Sequence, residues 1–187
     1  MNQKVEDKPV LVRYADDFVI LSMPGQGTAL RQRLRQWLTA RGLTLNEEKT
    51  RLVQSREGFN FLGFSVRWQQ GRKSQRWYCH VQPSAKTEQR FRDQVRHILN
   101  HWNQHKHTTE VVHELNTFLR GWSGYFHFRH SSQVIWDLQG WVRARLKGWL
   151  WRKHGRTKGK WIGYPDALLH ERYGLWLMPT HAPWKRA

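Results

Sequence analysis

The sequence holds one cysteine, Cys79, in 187 residues. That excludes an internal disulfide, a Cys-x-x-Cys redox pair and a thiolate zinc site, and it fits a reducing compartment. Long hydrophobic runs are missing too. No clean apolar stretch exceeds the four residues of Phe18 to Leu21, far short of the roughly 18 that a membrane span needs. Met1 to Lys8 is polar and charged with no apolar h-region behind it, so neither export nor membrane insertion is expected, and the expected setting is cytoplasmic. No P-loop is present, because Gly159-Lys160 is followed by Trp161 rather than Ser or Thr and no glycine sits five residues before Gly159. Acidic side chains are scarce: Asp plus Glu number 14 against 32 Lys plus Arg, a formal net charge of +18.

The imbalance is concentrated toward the C-terminal end. Residues 1–50 carry 8 basic and 6 acidic side chains, and the remainder carries 24 and 8. Such a footprint is that of a nucleic-acid binder, because each neutralised phosphate releases condensed counterions. A basic surface could also meet an anionic membrane, but the 12 Trp weigh toward nucleic acid, since flat rings beside Arg stack on unpaired bases. Aromatics at helical spacing belong by default to a core, which leaves stacking to about a quarter of them.

Val10 to Tyr14 and Phe18 to Ser22 are β-prone runs separated by Ala15-Asp16-Asp17, which predicts a tight hairpin with acids at its tip. Leu30, Leu34, Trp37 and Leu38 then share a helix face, and Gly42 marks its end. Leu43 to Leu45 and Arg51 to Gln54 are short strand candidates, Phe59 to Phe64 a further strand, and Trp77 to Val81 its return. From Pro83 the period changes from two to 3.6. Phe91, Val95, Ile98, Leu99 and Trp102 form one apolar stripe, Val111, Leu115, Phe118, Leu119, Trp122 and Phe126 a second, and Ile135, Leu138, Val142, Leu146 and Trp149 a third. Three antiparallel helices follow, with N-caps at Ser84, Thr108 or Thr109, and Ser131 or Ser132. A short helix over Pro165 to Tyr173 is expected in the tail.

The acids at the hairpin tip are the most specific chemical feature. Two carboxylates at a strand turn suit Mg²⁺, which takes oxygen ligands and keeps waters and substrate phosphates in its octahedron. Adjacent strand residues point to opposite faces, so Asp16 is the principal ligand expected and Asp17 the lesser one. An ordinary polar turn is the alternative, since Asp favours turns. Arg143, Arg145, Lys147, Arg152, Lys153, Arg156, Lys158 and Lys160 form a basic strip suited to a phosphate backbone, and residues 140–187 hold 11 basic against 2 acidic side chains. A solvated charged face is the competing reading. His97, His101 and His105 repeat every four residues and would share a helix face, though without an acidic or cysteine partner for a metal.

The segment Tyr14-Ala15-Asp16-Asp17 resembles the Y-x-D-D signature of the reverse-transcriptase palm. Gly42 to Asn46 with Lys49-Thr50 is similar to the segment that follows it, and Phe59-Asn60-Phe61-Leu62-Gly63-Phe64 resembles the strand beside the primer grip, here Phe61, Leu62 and Gly63. Leu115-Asn116 through Gly121-Trp122-Ser123-Gly124-Tyr125-Phe126 resembles the maturase-specific thumb, domain X. The family is that of the group II intron reverse transcriptases, or maturases. The resemblance implies an α+β protein: the C-terminal part of a palm over 1–82, a three-helix thumb over 83–155 and a basic tail over 156–187.

The function so implied is RNA-directed DNA synthesis and intron splicing, with group II intron RNA and an RNA/DNA primer-template as partners, and Asp16 and Asp17 as catalytic, Mg²⁺-binding residues. In the family a further Asp comes from a strand well upstream of Y-x-D-D, whereas 13 residues precede Tyr14 here. The expectation is therefore that the chain does not polymerise alone, that Mg²⁺ binds only in a complete palm, and that a separately encoded N-terminal fragment could be a further partner. A non-enzymatic RNA-binding splicing cofactor, or a degenerate fragment, is the alternative.

Overall fold

The computed structural model describes residues 8–72, 74–154 and 163–180. In chain order it contains β1 (Val10–Tyr14), β2 (Asp17–Leu21), α1 (Gly27–Thr39), β3 (Phe59–Phe61), β4 (Phe64–Gln70), β5 (Trp77–Pro83), α2 (Ala85–Ile98), a 3-10 turn (Trp102–His105), α3 (Thr108–Phe126), α4 (Ser132–Lys153) and α5 (Asp166–Glu171). The class is α+β, with one two-stranded and one three-stranded antiparallel sheet. No helix among the described residues is long and apolar enough to cross a membrane.

The hairpin forms as the sequence suggests, from Val10 opposite Leu21 to Tyr14 opposite Asp17. Its turn is one residue shorter than expected, because Asp17 pairs with Tyr14 and so belongs to β2. Little covers the hairpin, and Val10, Leu11, Val12 and Tyr14 are all exposed. In α1, Leu30, Leu34 and Leu38 make a half-buried stripe, but no residue of the helix is fully buried.

The strands expected at Leu43 to Leu45 and Arg51 to Gln54 do not form. Polar side chains take the backbone instead. Asn46 accepts from the Lys49 amide at 3.1 Å, and its carbonyl accepts from the Thr50 amide at 3.0 Å. Glu47 bridges Arg31 and Arg35 of α1, which together hold its carboxyl below the usual range. Further on, the Ser55 carbonyl accepts from the Trp68 amide at 2.8 Å, so this segment folds against β4 as a turn.

The three apolar stripes build the core. Val95, Val111, Leu115, Leu119, Ile135, Leu138, Val142, Leu146 and Trp149 are completely buried, each large aliphatic side chain contributing about 1.5–3 kcal/mol by leaving water. Ser84 caps α2, its hydroxyl accepting from the Thr87 amide at 3.3 Å. At α3 the cap position is His107 rather than Thr108 or Thr109, and at α4 the Ser131 position is reached without a side-chain cap bond.

Trp102 departs from its expected stripe. Helix α2 stops at Ile98, where the Asn100 and Asn103 amides donate to the carbonyls of His97 and Ile98 at 2.7 and 2.9 Å. Trp102 is left 73% exposed. The same break disperses the histidines: His97 lies in the last turn of α2, His101 precedes the 3-10 turn and His105 closes it, so they share no helix face.

The sequence boundary at residue 155 is not a boundary of packing. Leu169, Leu175 and Met178 are buried in the same core as the helices. Helix α5 covers Asp166–Glu171, with Pro165 at its cap, and residues 174–178 run as a strap against α3 and α4. The Asn116 amide donates to the Gly174 carbonyl and accepts from the Trp176 amide, both at 2.8 Å, and Gln139 accepts from the Met178 amide at 2.9 Å. Helix α4 is thereby enclosed on more than one side, which is why Gln139, Lys147 and Gly148 are buried along with its apolar stripe.

Candidate nucleic-acid interface

Four places bear on function: the acidic hairpin, the turn between β3 and β4, the basic C-terminal half of α4, and the aromatic surface. At the hairpin, Ala15 takes a left-handed conformation with φ of +52°, and Arg13 Nε donates to its carbonyl at 2.7 Å. Asp16 stands at the tip and Asp17 on β2, both exposed and without an ion-pair partner among the described residues. Also among the described residues, no group of three or more His, Cys, Asp or Glu could hold a metal ion. Two adjacent carboxylates do not supply the set that two-metal polymerase chemistry requires, so the donors assembled here do not fit the complete metal site.

The residues Phe61, Leu62 and Gly63 lie where β3 turns into β4, with Phe61 paired opposite Phe64. Leu62 and Gly63 have φ of +50° and +82°, the left-handed pair of a two-residue hairpin turn. This turn is the joint to the helices. The Gly63 carbonyl accepts from the Ser84 amide at 2.9 Å and the Thr87 hydroxyl at 2.7 Å, and Tyr125 donates to the Leu62 carbonyl at 3.3 Å. Phe64 packs on Phe126 at 5.2 Å. On the other side of the sheet, the His130 Nδ1 accepts from the Val81 amide at 3.2 Å. Burial, with the charges of His80 and Arg129, holds its pKa below the ordinary value.

A methyl group on Gly63 would sit 3.0 Å from the Phe126 ring and 3.1 Å from the Thr87 hydroxyl. Gly63→Ala is expected to cost about 2 kcal/mol, roughly half from the left-handed φ and half from displaced neighbours. Urea denaturation reads this directly, and a loss under about 0.5 kcal/mol would show that the joint yields freely.

The basic strip divides into two groups. Lys147 is 5% exposed, and its Nζ lies 2.6 Å from Asp166 of α5, whose other oxygen is 3.2 Å from Arg143. Lys153 donates to the carbonyls of Gln104 and Lys106. These three cations, expected on the nucleic-acid face, also fasten parts of the fold to one another. Arg145 and Arg152 remain, with no ion-pair partner among the described residues, whereas Arg156, Lys158 and Lys160 lie outside the described residues.

Sequence reasoning missed the residues that join Arg145 in space. Arg96 of α2 lies 5.5 Å from the Trp141 ring, and Arg145 lies 5.8 Å from it. Burial, then the charges of Arg152 and Arg96, lowers the Arg145 pKa. Two guanidiniums thus lie against one half-buried indole, with Arg152 near Arg145 and Asp93 paired to Arg96 at 2.6 Å. Only the helix packing brings Arg96 here, because it lies 49 positions before Arg145.

The tryptophans are more exposed than expected. Of the ten described, Trp122 and Trp149 are buried, while Trp37, Trp68, Trp77, Trp102 and Trp136 are exposed, so stacking surface is plentiful.

The Asp166 cluster gives a pH prediction. Its carboxyl is held below the usual range, first by the hydrogen bond from Lys147. A depressed carboxylate stabilises the fold above its unfolded pKa, and that stability is lost as the pH falls through the folded value. Asp166→Ala is expected to cost about 2 kcal/mol at neutral pH, less than a fully buried pair because Asp166 is half in water. Melting temperatures between pH 7 and 3 should fall less steeply for Asp166→Ala than for the wild type, and Lys147→Met added to it should recover much of the loss. Parallel pH curves would contradict this account.

Residues 88–165 match the family model "Group II intron, maturase-specific domain", and residues 1–66 match "Reverse transcriptase (RNA-dependent DNA polymerase)". No curated protein matches the chain.

Proposed function

We propose that this chain, which belongs to the group II intron reverse transcriptases and maturases, binds group II intron RNA through the helical bundle, which acts as the maturase thumb. The carrying observation is that Arg96 and Arg145 both lie against the Trp141 ring, with Arg152 near enough to Arg145 for its charge to lower the Arg145 pKa. Guanidiniums held close together without enough carboxylates attract phosphates, and an aromatic face beside them takes an unpaired base. Arg156, Lys158 and Lys160 extend the charge along the sequence.

The hairpin of Asp16 and Asp17 is read as the metal-binding hairpin of a polymerase palm, and the Phe61-Leu62-Gly63 turn as its primer grip. Asp16 and Asp17 would be two of the carboxylates that a complete Mg²⁺ site needs. RNA-directed DNA synthesis on a primer-template then requires carboxylates beyond those that the described residues assemble. The exposed apolar hairpin favours a second reading, in which the palm segment is a scaffold and the chain serves splicing alone. RNA-templated nucleotide incorporation by the purified chain would decide for the enzyme.

The test of RNA binding is affinity for a structured group II intron RNA against an unrelated RNA of equal length, across a salt series. Binding that favours the intron at every salt concentration is expected, with log K falling by about 0.9 per phosphate contact for each tenfold rise in salt. Equal binding to both RNAs that collapses with salt would reduce the chain to a basic surface without specificity.

A further inference from the structure

Between α2 and α3, on a different face of α2 from Arg96, lies an open cleft of about 500 Å³. That is within the roughly 300–1,000 Å³ of small-molecule sites. Beneath it lies the buried edge-to-face pair of Phe91 and Trp122, whose centroids are 4.7 Å apart. The half-buried rings of Phe118, 5.3 Å from Phe91, and Phe126, 4.9 Å from Trp122, form the accessible aromatic floor along α3. The turn of Leu62 and Gly63 closes one end. On the rim, Arg90 and Gln94 stand one helical turn apart on α2, both exposed and neither with a partner among the described residues. Among the described residues, no carboxylate lines the cleft.

We propose that this cleft receives one unpaired nucleobase of the bound RNA, stacked on the aromatic floor with its polar edge toward Gln94 and its phosphate toward Arg90. The proposal rests on the RNA-binding reading and adds to it a single-stranded nucleotide held at the junction of the two matched segments. Residues 1–66 supply the closing turn, and residues 88–165 supply the floor and rim. Three features favour a base over an apolar peptide. The chain carries +18, so an anionic polymer is attracted. The rim offers guanidinium donors for phosphate or for base acceptors, together with an amide that both donates and accepts, as base edges require. Stacking on aromatic rings is open to any base, because each has a π-face.

The experiment compares a hairpin RNA carrying a short single-stranded adenosine extension with the same stem made blunt. The wild type, Gln94→Trp, which fills the cleft, and Arg90→Gln, which removes its cation, are measured against both. The two side chains are exposed, and melting curves confirm the fold of each variant. Gln94→Trp is expected to weaken binding of the extended RNA about 10-fold, within the range for one stacked base, and to leave the blunt stem unchanged. Arg90→Gln should weaken the extended RNA several-fold in the same selective way, which keeps the test decisive should Gln94→Trp misfold. Replacing the extension by abasic nucleotides should cost the wild type as much as Gln94→Trp does. Variants that bind both RNAs as the wild type does, or lose both equally, overturn the cleft while leaving RNA binding intact. A wild type that binds neither RNA overturns the underlying reading and the cleft with it.

Discussion

Replacing Arg96, Arg145 and Arg152 together by glutamine is expected to weaken intron RNA binding about 100-fold near physiological salt and to lower the salt slope by about 2 to 3 units, one phosphate contact per guanidinium. The effect is large because these cations are already close: Arg96 and Arg145 share the Trp141 ring, and Arg152 lowers the Arg145 pKa. A phosphate entering among them relieves repulsion as well as gaining attraction. The matched control is Arg33, Arg51 and Arg72 to glutamine, three exposed cations outside the bundle. It removes the same net charge, so electrostatic steering falls equally. Equal losses for the two triple variants, measured by filter binding across a salt series, would mean that net charge rather than this cluster holds the RNA.

That cluster shows where reading a sequence succeeds and where it stops. The apolar stripes of α2, α3 and α4 were legible because a helix repeats every 3.6 residues and burial repeats with it. The hairpin was legible because two β-prone runs flank a turn. Lys147 was not, since a lysine in a basic run reads as solvated, and its carboxylate, Asp166, lies 19 positions later across a packing contact. Arg96 was hidden for the same reason. Trp102 was misplaced although a local signal existed: Asn100 and Asn103 compete for the backbone carbonyls of the last helical turn, which is how α2 ends. Of the candidate metal site, the two acids at the hairpin were readable, but their geometry puts one at the tip and one in the strand.

The bundle stores its rigidity unevenly, and the joints explain the functional arrangement. Gly63, Ser84, Thr87 and Tyr125 tie the three-stranded sheet to α2 and α3. Asn116 and Gln139 tie the strap to α3 and α4. The proposed RNA contacts lie between these ties, on packed helices rather than on loops, so their spacing is set by the core. Among the described residues the β1–β2 hairpin shows no comparable tie, and it exposes Val10, Leu11 and Val12, an edge and apolar surface that favour association.

Trp149→Ala should then be the most damaging single change to the fold, at about 4 kcal/mol, a large share of the 5–15 kcal/mol that usually holds a domain together. Trp149 is completely buried and is the largest such side chain. Its Nε1 donates to the Asn100 carbonyl at 3.1 Å, so the substitution leaves both a cavity and an unsatisfied acceptor. Trp149→Phe separates the two, keeping most of the volume and losing the donor, and should cost about 1.5 kcal/mol. One turn later Lys153 donates to the Gln104 and Lys106 carbonyls, so both variants should speed amide exchange in residues 99–107 beyond the global loss. Trp149 lies between Arg145 and Arg152 on α4, yet it touches core rather than solvent. Trp149→Phe should therefore bind RNA as tightly as the wild type wherever it is folded. Urea denaturation and RNA titration of the same preparation decide it: a binding loss in Trp149→Phe larger than its unfolded fraction would place the indole in the RNA site and not under it.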